Sequence, residues 1–187
     1  MVEWSALLLP SLVATVLVFV ASSLIHMVFR LHNPDYRRLG DEEGVAAALR
    51  KAAPTPGQYV IPHCLDPKEQ ASPETARKYA EGPIAVIYIG RNGAIKLGPF
   101  LGKWIGYAFV VSLLAGYVAR AALGPGARYL AVFQVVGAAA WLAYSWQSPS
   151  DSIWKSKPWS VTLRGMFDGL VYAALTAGAY AWLWPDA

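Results

Sequence analysis

Residues 6–29 run for 24 positions without an Asp, Glu, Lys or Arg. As a helix rising about 1.5 Å per residue, such a run exceeds the ~30 Å hydrocarbon thickness of a bilayer. Three more apolar stretches follow. Residues 104–123 hold one charge, Arg120, at a depth from which its long side chain reaches headgroups; residues 129–146 hold none; residues 165–184 hold Asp168 near their start. Pro125 and Gly126 separate the second stretch from the third, and Pro149 and Pro158 the third from the fourth. The pattern predicts an all-α membrane protein, a bundle of four transmembrane helices.

Between the first two stretches the pattern changes. Residues 31–103 carry eight of the 13 prolines and eight of the 12 carboxylates, as a segment outside the bilayer would. Asp41, Glu42 and Glu43 mark a helix start, with Arg50 and Lys51 at its end. Ser72-Pro73-Glu74 marks a second start, running to about Ala80. Residues 58–61 and 84–90 read as strands, and Asn92-Gly93 as a hairpin turn into a strand over 94–97. The expected organisation is transmembrane helix 1 over 1–30, a small α+β cytoplasmic cap over 31–103, and helices 2–4 over 104–187. At about 60 residues a cap is marginal alone, so it is expected to rest on the membrane face and the helix ends.

Composition agrees with this class: 56% of residues are hydrophobic and 15% charged, against about 25% charged in soluble domains. A disordered chain, a coiled coil and a collagen-like repeat are excluded. One cysteine, Cys64, forms neither an internal disulfide nor a multi-thiolate zinc site. The formal charge of +4 raises the question of nucleic acid, and the placement of the basic residues answers it. Fourteen of the 16 Lys and Arg lie in 30–103 or 155–164; Arg120 and Arg128 lie on the other side. By the positive-inside rule both large connections are cytoplasmic and both termini outside. The basic excess is a topology signal, and no nucleic-acid partner is expected, because no basic run interleaves with aromatic residues. With only Glu3 charged among the first five residues, the first stretch reads as a retained anchor rather than a signal peptide. Trp4, Trp182 and Trp184 are expected at the outer interface, Trp104, Trp146, Trp154 and Trp159 at the inner one, and Trp141 inside the bundle.

Gly165, Gly169, Ala173, Ala177 and Ala181 recur at four-residue spacing along the last stretch, and small residues let helix backbones approach in lipid. The stripe is expected to pack within one chain, with self-association or another membrane protein as the alternative partner. Ala179 is expected off the stripe.

Candidate chemistry is sparse. Phosphate-binding glycine motifs, HExxH and paired inward carboxylates are absent, and Ser152-Ile153-Trp154-Lys155 has the Ser-x-x-Lys spacing of penicillin-binding enzymes without their other motifs. His26 and Asp168 lie about one turn inside the cytoplasmic boundary, four residues from Arg30 and Arg164, and intramembrane ionisable groups are functional candidates by default. They are expected as a hydrogen-bonded pair, or with Asp168 linked to Arg164. His32, about 120° round a continued helix from His26, is not expected to share its face. His63 and Cys64 follow a proline at a strand end, where a thiol beside an imidazole is a nucleophile or soft-metal candidate. Haem held by His26 and His63 is a weaker alternative. No catalytic residue, metal or cofactor is expected.

Ile153-Trp154-Lys155, Lys157-Pro158-Trp159-Ser160, Phe167-Asp168-Gly169-Leu170 and Trp182-Leu183-Trp184-Pro185, with Gly82-Pro83 and Pro62-His63-Cys64, together resemble a group of uncharacterised bacterial four-span inner-membrane proteins of similar length. The resemblance extends over most of the chain; it implies a bacterial inner membrane and brings no mechanism. The expected function is therefore that of a structural, assembly or interaction component of the membrane. The alternatives are a small proton-linked transporter using His26 and Asp168, and a haem- or metal-binding redox protein.

Overall fold

The structure is a computed structural model that describes residues 1–52 and 54–186. It is mostly helical, with a small two-stranded sheet. The chain divides into two compact units, one of residues 1–36, 96–152 and 157–187, the other of residues 37–95 and 153–156. Residues 31–36, expected in the cap, thus belong with the helices.

In the first unit a 3-10 turn, Trp4–Leu7, leads into α1, Leu8–Ser23, which ends in a π-helical turn, Leu24–Val28, and a 3-10 turn, Asn33–Asp35. In the second unit lie α2, Glu42–Ala52; β1, Gly57–Ile61; α3, Pro67–Gln70; α4, Pro73–Glu81; and β2, Ala85–Ile89. The first unit resumes with α5, Leu97–Ala122, and α6, Tyr129–Ser145, continues through α7, Ser148–Trp154, and closes with α8, Trp159–Trp182. Three stretches are long and apolar enough to cross a membrane: Trp4–Val28, Leu97–Ala122 and Tyr129–Trp154. In α8 the tyrosines, Arg164 and Asp168 dilute the apolar content.

The long helices α1, α8, α6 and α5 pack in a closed ring, each against the next. Their interior is small and partly polar. Ala14, Ala108, Ala115, Val136, Ala140 and Ala177 are buried together with Ser11, Ser112, Thr162 and Thr176, while Leu12, Val16, Val110, Leu114, Leu142, Leu163, Phe167 and Leu170 lie exposed. The small-residue stripe of α8 lies against α6: a Cβ on Gly169 would stand 1.9 Å from Ser145 Oγ, and one on Gly137 would stand 3.4 Å from the Ala177 Cβ. Ala179 is buried too, because α8 also packs on α1, so it is not an outward position. Tyr180 fills the space that Gly116 leaves, where a Cβ would meet its ring oxygen at 2.2 Å. There it shares a hydrogen with Ser11 Oγ at 2.6 Å.

Several groups near the helix ends bond within the chain. Arg120 Nε donates to Val2 O at 2.5 Å and its guanidinium lies 4.6 Å from the Trp4 ring centre. Trp184 is buried and its Nε1 donates to Gly124 O at 2.9 Å, satisfying a loop carbonyl that no helix serves. Trp141 is half-buried, its indole nitrogen directed to Met166 O at 3.4 Å. The prolines separate α6 from α8 as expected, with a short helix between them. Pro149 sits in the first turn of α7, where it costs no helical hydrogen bond, and α8 begins directly after Pro158.

In the second unit Asp41 Oδ1 accepts from Gly44 N at 2.9 Å to start α2, and Ser72 Oγ accepts from Thr75 N at 3.2 Å to start α4. The strands pair antiparallel from Gly57↔Ile89 to Ile61↔Ala85. The expected strand over 94–97 does not form. β2 takes β1 as its partner, the chain after Ile89 leaves the sheet through Gly93 at φ 137°, and Leu97 is already the first residue of α5.

Candidate functional site

The site is built where α1 ends. The π-turn widens the helix around His26, and Phe29 N closes it on Leu24 O at 2.8 Å. Such turns recur at functional sites because they displace a side chain from its α-helical direction. Arg30 then adopts φ 52°, the left-handed region that a non-glycine residue rarely enters, and the chain reverses. Asn33-Pro34-Asp35 closes a 3-10 turn, with Asp35 N donating to His32 O at 3.0 Å. The reversal corrects the expectation for His32, which assumed a continued helix. Its ring instead stacks on that of His26, centres 4.5 Å apart and planes 4° from parallel.

Both imidazoles meet α8 at Asp168, which is 5% exposed. His32 Nε2 lies 2.8 Å from Asp168 Oδ2, and His26 Nε2 lies 3.7 Å from the same oxygen, within ion-pair reach but beyond a hydrogen bond. On its other side His32 Nδ1 lies 2.7 Å from Asp35 Oδ2. Arg164 does not take Asp168; it pairs with Oδ1 of Asp35. One turn apart on α8, Arg164 and Asp168 are thus both engaged by the segment that follows α1. Arg164, Asp35, His32, Asp168 and His26 form a continuous row of ionisable groups, neutral overall when one imidazole is protonated. Burying two carboxylates at the end of an apolar bundle is costly unless each meets a cation or donors, and this row supplies them.

Beside the row opens a cleft of about 310 Å³ lined by Ser22, His26, Trp104, Tyr144, Asp168 and Tyr172. Tyr172 packs edge-on to both Trp104 and Tyr144, at 5.8 and 5.6 Å. Among the described residues Trp104 Nε1 is buried there without a hydrogen-bond partner, and Tyr172 Oη faces the Ser22 hydroxyl on the opposite wall. A buried polar group left as the Trp104 nitrogen is left is uncommon in folded proteins.

His63 and Cys64 belong to the second unit. The Cys64 thiol faces Asp66 O at 3.7 Å and Glu69 Oε2 at 3.8 Å, acceptors that do not activate it as a nucleophile. His63 lines a small hollow with Glu69, Glu74 and Lys78. There the 2.8 Å pair between Lys78 and Glu74 holds the Glu74 carboxyl below its usual range and raises the Lys78 ammonium, each through its hydrogen bond to the other. Ser152 Oγ shares a hydrogen with Thr162 Oγ1 at 2.6 Å, which occupies the hydroxyl of the Ser-x-x-Lys spacing.

Sequence reasoning singled out His26, Asp168 and Arg164, which the structure brings into one site, and His63 and Cys64, which lie in the other unit. It missed His32 and Asp35. The signal was Asn33-Pro34, a turn dipeptide directly after the apolar run, flanked by two ionisable residues three apart. No known protein family, curated protein or solved structure matches this chain.

Proposed function

We propose that the chain is an integral protein of a bacterial cytoplasmic membrane, crossing it four times with both termini outside. Its function is to bind a small polar solute or ion from the cytoplasmic side, at the Arg164–Asp35–His32–Asp168–His26 row and the aromatic cleft beside it. Leu163, Phe167 and Leu170 face outward on α8, as Leu12 and Val16 do on α1, Val110 and Leu114 on α5 and Leu142 on α6, which supports a fourth span. The bias of Lys and Arg toward residues 30–103 and 155–164 supports the orientation. The observation that carries the binding reading is the cleft itself: a buried donor at Trp104, lacking a partner, stands with the Tyr172 and Ser22 hydroxyls beside a row of charges inside an apolar bundle.

A second reading is favoured by the pairing within the row. Because His32 and Arg164 meet carboxylates on both sides of the joint, the cluster is also a clamp between α1 and α8, and a structural component needs nothing more.

Accessibility separates the two. With Cys64→Ser as background, Ser22→Cys places a thiol on the cleft wall. A membrane-impermeant maleimide should label it in inverted membrane vesicles and not in intact spheroplasts. Labelling from outside alone would overturn the orientation, and no labelling from either side would leave only the clamp.

A further inference from the structure

Resting on that reading of the site, we infer that the solute is a divalent first-row transition-metal ion, held by His26 Nε2, His32 Nε2 and Asp168 Oδ2. These three atoms lie within 4.8 Å of one another and come from two stretches of chain, α8 and the turn at the end of α1.

The hydrogen bonds behind the two imidazoles point the ligand atoms. His26 Nδ1 lies 3.0 Å from Ser22 O, a carbonyl that can only accept, so Nδ1 carries the hydrogen and the neutral ring presents a bare Nε2. His32 Nδ1 lies against the Asp35 carboxylate at 2.7 Å and so holds its hydrogen in the same way. Fixing the tautomer from behind with a carbonyl or carboxylate is the arrangement that orients metal-bound histidines and raises their basicity. Here it occurs at both rings, and both Nε2 atoms lie near one carboxylate oxygen. The rings are stacked 4° from parallel, so their lone pairs run side by side, and the half-exposed His26 ring turns out of the stack as it takes the ion. Arg164 in turn anchors Asp35, so the support reaches one residue further out.

The spacing suits an ion. Ligand bonds of about 2.0–2.2 Å at tetrahedral angles set neighbouring donor atoms roughly 3.2–3.6 Å apart. The 3.7 Å from His26 Nε2 to Asp168 Oδ2 already matches. The 2.8 Å from His32 Nε2 to the same oxygen is the length of a hydrogen bond, which the ion replaces as it enters, the shared hydrogen leaving to solvent as a proton. Two imidazoles and one carboxylate are a donor set for zinc or ferrous iron rather than for calcium or magnesium, which take oxygen ligands. Three protein ligands leave coordination positions open, and the cleft carrying Trp104 Nε1 adjoins them. That donor would meet a water or an anion bound to the metal.

The test is cobalt(II) titration of the full chain, purified in detergent and stripped with a chelator, read by visible absorption and by bound metal per chain. One Co²⁺ per chain with ligand-field bands, displaced by Zn²⁺, is expected. His26→Ala removes a ligand and the ring stacked on His32, while leaving the bonds of His32 and Arg164 to Asp35 and Asp168 in place. It should keep the thermal unfolding temperature and weaken Co²⁺ at least tenfold. Asp35→Asn, which touches no metal, should weaken it by about 10–100-fold by loosening His32. His63→Ala with Cys64→Ser should change nothing. Absence of stoichiometric Co²⁺ and Zn²⁺ binding, or binding that survives His26→Ala undiminished, overturns the metal. Should Ser22→Cys still be labelled from the cytoplasmic side in that event, the cleft remains a binding site for another solute; if it is not labelled, both readings fall.

Discussion

The two units of this chain keep their structure by opposite means. In the helical unit many large apolar side chains point outward, and the interior mixes alanine, serine, threonine and Tyr180 with a few valines and Leu7. In the smaller unit Thr75 is the one buried side chain among the described residues, and all five positions of β1 are exposed. Water drives apolar groups inward, so the small unit, with almost none inside, depends on caps, the β1–β2 ladder and ion pairs. In the bilayer proposed above lipid would exert no such drive, and the helical unit would depend on close backbone contact and hydrogen bonds between small polar side chains. The comparison explains why chemistry collects in the helical unit. In a medium without water an ionisable group must find a partner, and partners brought together for that reason make a site.

The comparison breaks most sharply at Gly116. Gly116→Leu pushes into the Tyr180 ring, which is fully buried and tied to Ser11, and folded protein should be lost from detergent extracts. Ala174→Leu, on an exposed position of the same α8, should extract and unfold as the wild type does. Equal loss in both would mean that bundle packing does not depend on close helix contact. No substitution of one exposed residue in β1 should approach the Gly116 effect.

A smaller effect is expected at the joint between α1 and α8. Asp168→Leu leaves His32 without its acceptor and should cost about 3 kcal/mol, the range for breaking a buried charged pair. Asp168→Asn keeps an acceptor and should cost about 1 kcal/mol. Thermal unfolding in detergent measures both. If the two variants fall together, the ionised form rather than the hydrogen bond holds the joint.

The smallest effect belongs to the pair of Glu74 and Lys78 in the other unit. Glu74 has its folded value lowered, so its contribution is present above its unfolded value and is lost as pH falls through the folded one. Lys78 has its folded value raised, so its contribution is lost as pH rises through that value. Both side chains are exposed and screened, and Glu74→Gln should leave the unfolding temperature unchanged at moderate salt. A clear drop would show that the small unit depends on its ion pairs more than solvent screening permits.

The sequence determined α1, α2, α4, α5, α6 and α8, though not the short α3 and α7, because those six are set by local patterns: apolar runs at residues 6–29, 104–123, 129–146 and 165–184, cap residues at Asp41 and Ser72, and prolines at Pro73 and Pro158. It also determined that the small residues of α8 form one face, since spacing along a helix fixes the angle round it. Tertiary structure decided the rest. That β2 pairs with β1 rather than with residues 94–97 depends on which segment reaches it, and propensity does not report that. That Ala179 is buried depends on α8 having two neighbours. That His32 lies on His26 depends on one left-handed residue, Arg30, whose side chain gives no sign of that conformation. Asp35 and Asp168 are 133 residues apart, and their meeting across one imidazole follows from the turn after α1 and the packing of α1 on α8. Periodicity along a chain encodes which face a residue occupies; what stands opposite that face is a property of the folded whole.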